Sequence, residues 1–465
     1  MQFNSYIFIL VFLPLAVILY FSAGMQKPVF GKIVLIAAGL IFYGCGGYEM
    51  LALLFISMII NYLSALVIHR RRPGHRMLTA LPVIVNVGLL LYFKYYNFLI
   101  INLNTFTGKD MSVKDIFLPL GISFYTFQQI AYLAAVSKGE LERTDLLDYM
   151  VFILFFPKLL MGPLMEPADF ILQINDDTRK KPDAKNIAAG LRLFSAGLIK
   201  KTLFADTFAL AVSRVYADIF TATSMDCILL MLFYTFEIYF DFSGYSDMAS
   251  GISAMLNIEL PMNFDSPYKA LSVSDFWKRW HISLTGFLTK YIYIPLGGSR
   301  KGRVRTYINI LTVFLISGLW HGANWTFILW GLIHGLLMCL DRAFGKIEER
   351  IFRPVRWAVT FIMINILWLL FSAGSVELWY MILKKAVFVR EWTVSSDLIS
   401  RFPFTGTVWE MAIFLAASFF ICLVPENIFR NKERSDTKSL VLAVVSFVFG
   451  LLCVGSESVF LYFGF

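Results

Sequence analysis

Long apolar runs, most of them uncharged, alternate with short polar connections along almost the whole chain. They fall at 7–23, 33–47, 51–68, 78–93, 118–136, 150–164, 228–242, 307–319, 325–340, 358–373, 408–424 and 440–454. About 20 apolar residues in a helix cross the hydrocarbon core of a bilayer, so several runs are long enough to span, while others fit tilted or re-entrant segments. The pattern predicts an all-α polytopic bundle of about eleven spanning helices, give or take two. Pro119-Leu120-Gly121, Pro157, Gly162-Pro163 and Pro295-Leu296-Gly297-Gly298 punctuate these runs. In a membrane, broken backbone is tolerated where protein buries it or where it lines a cavity. The bundle is therefore expected to surround a central cavity, with re-entrant or interfacial helices beside it.

Composition agrees with this pattern. Hydrophobic residues make up 58% of the 465 positions and charged residues 16%, against roughly 25% charged in soluble domains. The first run follows Met1-Gln2-Phe3-Asn4-Ser5, which has no basic residue, and further runs come after it. It reads as a retained helix rather than a secretion signal. The five cysteines form no CxxC pair and mostly sit in apolar runs, as small hydrophobes do.

The net charge of +9 is concentrated in clusters beside the runs, including 69–76, 179–181, 300–305, 342–356 and 430–438. Such clusters mark the cytoplasmic side. By the same rule Lys27 and Lys32 place the first loop inside and the N-terminus outside. The charge lies in short membrane-flanking loops with no nucleic-acid motif, which argues against nucleic acid as a partner. No fixed-period repeat and no Ser/Gly linker divide the chain, so residues 1–465 read as one membrane domain.

Between 260 and 298 the pattern changes. Ser274-Asp275 can cap a helix running through Phe276-Trp277-Lys278-Arg279-Trp280-His281-Ile282-Ser283-Leu284. Phe276, Trp280, Leu284, Phe287 and Tyr291 recur at helical spacing, and Lys278, Arg279 and Lys290 interrupt the apolar character. Aromatics combined with cations describe a helix lying in the headgroup region of the inner leaflet.

Two of the five histidines, His321 and His334, sit in apolar sequence, and His321 lies in Trp320-His321-Gly322-Ala323-Asn324-Trp325. A titratable group at membrane depth is costly, so its default reading is functional. The 13 residues from His321 to His334, at about 100° each, leave the two about 220° apart on a straight helix. They cannot form an HExxH-type site, and no Cys or carboxylate supplies the missing ligands, so no metal is expected.

Gly322-Ala323-Asn324 breaks the helical run, and Asn324 suits the N-cap of a helix starting at Trp325. His321 then precedes a helix N-terminus, where burial and the dipole disfavour the imidazolium and leave a neutral general base. A structural histidine hydrogen-bonded between helices is the competing reading. The same choice applies to His281. His334 is expected to hydrogen-bond within the bundle and is kept as a secondary site candidate; His69 and His75 belong to a solvated basic loop. No GxSxG elbow, GxxxxGK[ST] loop or GxGxxG turn is present.

These residues resemble the membrane-bound O-acyltransferases, and within them the branch that acetylates alginate and other bacterial surface polysaccharides. The resemblance covers most of the chain. It is carried by 118–128, Phe156-Pro157-Lys158 with Gly162-Pro163, and Asp241-Phe242-Ser243-Gly244-Tyr245-Ser246-Asp247-Met248-Ala249. It continues through Asn263-Phe264, Ser266-Pro267-Tyr268, 276–284, 293–298 and 320–335. It implies a catalytic His321 and a second polar residue, His281, working with it. Trp277, Arg279, Trp280, Asn324, Trp325 and His334 would line or brace the substrate site.

The resemblance further implies an acyl donor that is acetyl-CoA or another acyl thioester, with no bound cofactor. The partners it implies are membrane lipids and an extracytoplasmic SGNH-type acetyltransferase that hands the acetyl to the polysaccharide, in the setting of a bacterial inner membrane. An acyl carrier protein would be the donor if the chain instead transferred D-alanine to teichoic acid. A polytopic transporter could use the same broken helices, with Asp241 and Asp247 as intramembrane acids, and a scaffold without catalysis is a further alternative. Two departures bear on acceptor and partner: Tyr132-Leu133-Ala134-Ala135 lacks an acid common in relatives, and Leu164-Met165-Glu166 stands where relatives often carry Ile and a basic residue.

Overall fold

Helix is the only regular element among the described residues, which in this computed structural model are 1–70, 76–141, 145–348, 350–430, 437–455 and 460–461. A helix satisfies its backbone groups within one segment, which is what an apolar solvent demands. Among the described residues six helices are long and apolar enough to cross a membrane: Phe8–Gln26, Tyr48–Arg70, Leu78–Thr107, Ser224–Met255, Trp325–Gly345 and Arg353–Ser372. Three shorter apolar helices accompany them, Pro28–Gly44, Val408–Leu423 and Lys438–Leu452. Other apolar runs fold as shorter or interrupted pieces. The run at 150–164, for example, stops at Leu154, turns through an extended Phe155 and resumes as Phe156–Leu159. Pro157 has no N–H to continue the earlier helix and its ring would clash with it. His75 and most of the basic cluster at 430–438 lie outside the described residues.

The chain divides into two compact units that alternate along the sequence. The first comprises Met1–Ala196, Tyr245–Pro261 and Lys432–Val454. Its helices are tied by buried amides: Asn61 Nδ2 donates to Asn86 Oδ1, Asn86 Nδ2 donates back to Asn61 Oδ1, and Ser57 Oγ donates to Gln129 Oε1 at 2.8 Å. Polar side chains hydrogen-bonding across helices are the usual glue where no hydrophobic force separates helix from lipid.

The second unit comprises Gly197–Gly244, Met262–Asn431 and Gly455–Phe465. Its centre is the hairpin of the helices Arg303–His321 and Trp325–Glu348. Gly318 and Gly331 let the two backbones touch: a Cβ on Gly318 would lie 2.3 Å from the Phe327 carbonyl oxygen, and one on Gly331 would lie 2.4 Å from that of Phe314. Beside the hairpin, the stretch read as one interfacial helix is two short helices, Val273–Arg279 and Ile282–Leu288. Its cap is Ser272, whose hydroxyl accepts from Asp275 N at 3.1 Å, and not the Ser274-Asp275 pair. Ser274 N donates instead to Asp341 Oδ2 at 2.6 Å, a tertiary partner that local sequence does not reveal.

Candidate active site

The break between those two short helices is made by His281, which adopts φ +43° and ψ +53°. This left-handed conformation costs a non-glycine residue about 1–2 kcal/mol, and such strain persists only where the surroundings impose it. Here an extended segment imposes it. Asn263 O accepts from Ile282 N at 2.9 Å, and Asp265 N donates to Arg279 O at 2.9 Å. The kink turns the His281 ring inward, where it meets Phe242 edge-on at 4.7 Å between ring centroids and Trp320 at 6.2 Å. Its Nδ1 is 3.1 Å from Asn263 Oδ1. Burial disfavours the imidazolium and pushes its pKa down to about 3.

His321 is buried and ends its helix. Gly322 is extended, and Asn324 caps the next helix as expected, its Oδ1 accepting from Thr326 N at 3.0 Å. His321 is itself the last residue of the preceding helix, whose C-terminal end has the opposite sign, so it does not sit in the purely positive dipole field expected before Trp325. Its ring packs against Trp320 at 4.9 Å, Trp330 at 5.3 Å and Phe371 at 5.2 Å.

His334 joins the same cluster, 4.7 Å from Trp330, and its Nδ1 accepts from Trp277 Nε1 at 3.1 Å. That is the intrabundle hydrogen bond read from the sequence, with an indole as the donor. Trp280 is buried against Trp368 at 4.8 Å and Phe264 at 5.0 Å. Of the other residues expected to line or brace the site, Arg279 and Asn324 are hydrogen-bonded to nearby groups, whereas Trp325 is largely exposed. The Arg279 guanidinium is engaged by Asp275 Oδ1 at 2.8 Å and the Asp265 carbonyl at 3.3 Å. Asn324 Nδ2 donates to Gly374 O, and Trp325 opens the following helix 57% exposed. The reading of the sequence did not single out Asn263, Trp330, Trp368 or Phe371 as site residues. Trp330 lies four residues before His334 and so shares its helix face, a signal that was available.

Cavities of this unit are lined by described residues near these side chains. One of about 220 Å3 is mostly apolar, walled by Trp277, Leu284, Leu288, Phe314 and Met338, with Arg342 in its lining. Another, of about 380 Å3, is lined by Lys201, Tyr234, Glu237, Asp241 and Ser372. Lys201 Nζ bridges Asp241 at 2.7 Å and Asp206 at 2.9 Å, and Ser372 follows Phe371, which packs on His321. Among the described residues no group of three or more His, Cys, Asp or Glu could hold a metal ion. The arrangement can support chemistry that needs buried imidazoles in an aromatic setting.

Comparison with known proteins gives this setting a family. The chain matches the model of the membrane-bound O-acyltransferase family over residues 74–383. It is 34% identical to the peptidoglycan O-acetyltransferase of Helicobacter pylori over an alignment covering 100% of this chain and 97% of the relative. It is 38% identical to the probable alginate O-acetylase of Pseudomonas putida, covering 81% and 78%. A teichoic acid D-alanyltransferase of Streptococcus thermophilus is 25% identical over 56% of this chain and 70% of its own length. With the family model matched over residues 74–383 and relatives aligned nearly end to end, the chain belongs to the membrane-bound O-acyltransferase family and is a membrane acyltransferase.

Proposed function

We propose that the chain moves an acetyl group from a cytosolic thioester towards hydroxyls of an extracytoplasmic cell-surface polysaccharide. The observation that carries this reading is the position of Trp320, whose indole meets both His281 and His321, at 6.2 and 4.9 Å. Two imidazoles far apart in sequence thus share one buried cluster. In this reading His321 accepts the proton of the attacking hydroxyl as its oxygen bonds to the thioester carbonyl carbon. The carbon–sulfur bond then breaks, and the proton passes to the departing thiolate. General-base assistance of this kind is worth about 10²- to 10⁴-fold.

The apolar cavity behind Trp277, with Arg342 in its lining, suits a thioester arm that carries an anionic end. Acetyl-CoA is the donor in this reading. The likeness to a D-alanyltransferase keeps a carrier-protein thioester as the second donor to try. An SGNH-type partner works with the chain on the outer side of a bacterial inner membrane, with the N-terminus outside. Acetylation of peptidoglycan or alginate by the relatives named above supports the choice of a polysaccharide.

The test replaces His321 by Ala and measures acetyl groups on surface polysaccharide in cells with unchanged protein levels. Loss of at least about 100-fold is expected; retained acetylation would sink the role given to His321.

A further inference from the structure

A buried imidazole such as His281 can serve acyl transfer in two ways, by accepting from a substrate donor or by donating to developing negative charge. The hydrogen bonds around Asn263 choose between them. Asn263 Oδ1 lies 3.2 Å from the backbone nitrogen of Ser283, 2.8 Å from Ser283 Oγ and 3.1 Å from His281 Nδ1. The Ser283 N–H can only donate, so the atom it faces is the amide oxygen and not the amide nitrogen. An amide oxygen can only accept, so His281 Nδ1 must carry the proton. In a neutral imidazole the other nitrogen then presents a lone pair. That nitrogen, Nε2, is buried and has no hydrogen-bond partner among the described residues. A buried acceptor without a donor is costly unless a ligand supplies one.

We infer that Asn263 is a positioning residue that locks His281 in its Nδ1–H tautomer, so that His281 Nε2 accepts a hydrogen bond from an O–H or N–H of the acceptor substrate and does not donate to the oxyanion. The left-handed backbone of His281 belongs to the same device. Asn263 O holds Ile282 N while its side chain holds the ring, so one residue fixes both the kink and the tautomer. Ser283 adds a second clamp on the amide oxygen and stops it from rotating away. An oxyanion donor would need Nε2–H, the tautomer that this clamp excludes. The identity of the bound group as the acyl acceptor rests on the acyl-transfer reading; the tautomer does not.

The experiment uses the full chain in lipid nanodiscs with ¹⁵N-labelled histidine, the His281 signals being assigned by their loss in His281→Ala. The expected wild-type spectrum shows His281 Nδ1 protonated and Nε2 unprotonated. Asn263→Asp, which keeps an accepting oxygen, should retain that signature, whereas Asn263→Leu should lose it. In acetyl-transfer assays with acetyl-CoA and a purified cell-wall polysaccharide, Asn263→Leu should raise the acceptor KM at least tenfold and leave the donor KM within twofold. Asn263→Asp should restore most of that loss. A wild-type Nε2–H signal would overturn the inference, as would an Asn263→Leu protein whose tautomer shifts without any change in acceptor KM. The expected tautomer in a protein that transfers no acetyl would instead count against the acyl-transfer reading and leave the lock standing.

Discussion

Each unit buries a polar side chain in a motif of the chain, and the two are treated in opposite ways. In the first unit Lys158 is fully buried. Its Nζ donates to Gln128 Oε1 at 2.6 Å and to the Phe152 carbonyl, and lies 3.9 Å over the Phe152 ring. In the second unit His281 is equally buried, yet its Nε2 is left with a lone pair and no donor. A satisfied cluster ties its surroundings together, whereas a buried acceptor without a donor, set in a strained backbone, is suited to take a donor from a substrate. Burial alone does not separate a structural polar residue from a working one.

Changes at these two places should therefore diverge, and the largest expected effect is on turnover. Replacing His281 by Ala should lower acetyl transfer about 100-fold, the usual consequence of a misplaced substrate, with little change in thermal unfolding temperature. A matching loss of stability would make His281 a structural residue like Lys158. Next comes Lys158→Leu, which removes the donor from Gln128 Oε1 and the Phe152 carbonyl. Two buried acceptors without donors should cost about 2–4 kcal/mol, read as a lower midpoint in detergent unfolding, while transfer per folded molecule stays near wild type. Turnover lost without lost stability would mean that Lys158 acts in the reaction.

Smaller effects test the frame around the histidines. Gly318→Ala puts a Cβ against the Phe327 carbonyl and must push the hairpin apart. A cost of about 1–3 kcal/mol is expected, together with reduced turnover as His321 shifts against Trp330. If both stay unchanged, the close approach of the hairpin does not position His321. His334→Phe keeps the ring but removes the acceptor for Trp277 Nε1. It should cost about 1 kcal/mol in stability and little activity; a large drop in transfer would promote His334 from bracing to chemistry.

Much of this molecule was legible along the chain. Apolar runs of spanning length gave the all-helical membrane architecture because lipid imposes one rule on every segment: apolar outside, backbone satisfied within. Asn324 at the start of the Trp325–Glu348 helix was readable too, since a cap depends on residues two positions away. Local rules failed where a distant partner competed. Ser274 lost its place as cap because its N–H donates to Asp341, and the helix expected through Phe276–Leu284 broke at His281 because the Asn263 segment bonds across the kink.

Sequence by itself determined the solvent, the helices, the family pattern and the identities of the two histidines. Only the tertiary structure decided that one indole, Trp320, joins those histidines, that His321 ends one helix as well as preceding another, and which nitrogen of His281 is left to bind. The physical reason is that periodicity and propensity act over a few residues, whereas a tautomer and a ring contact depend on atoms supplied by segments far away in the chain.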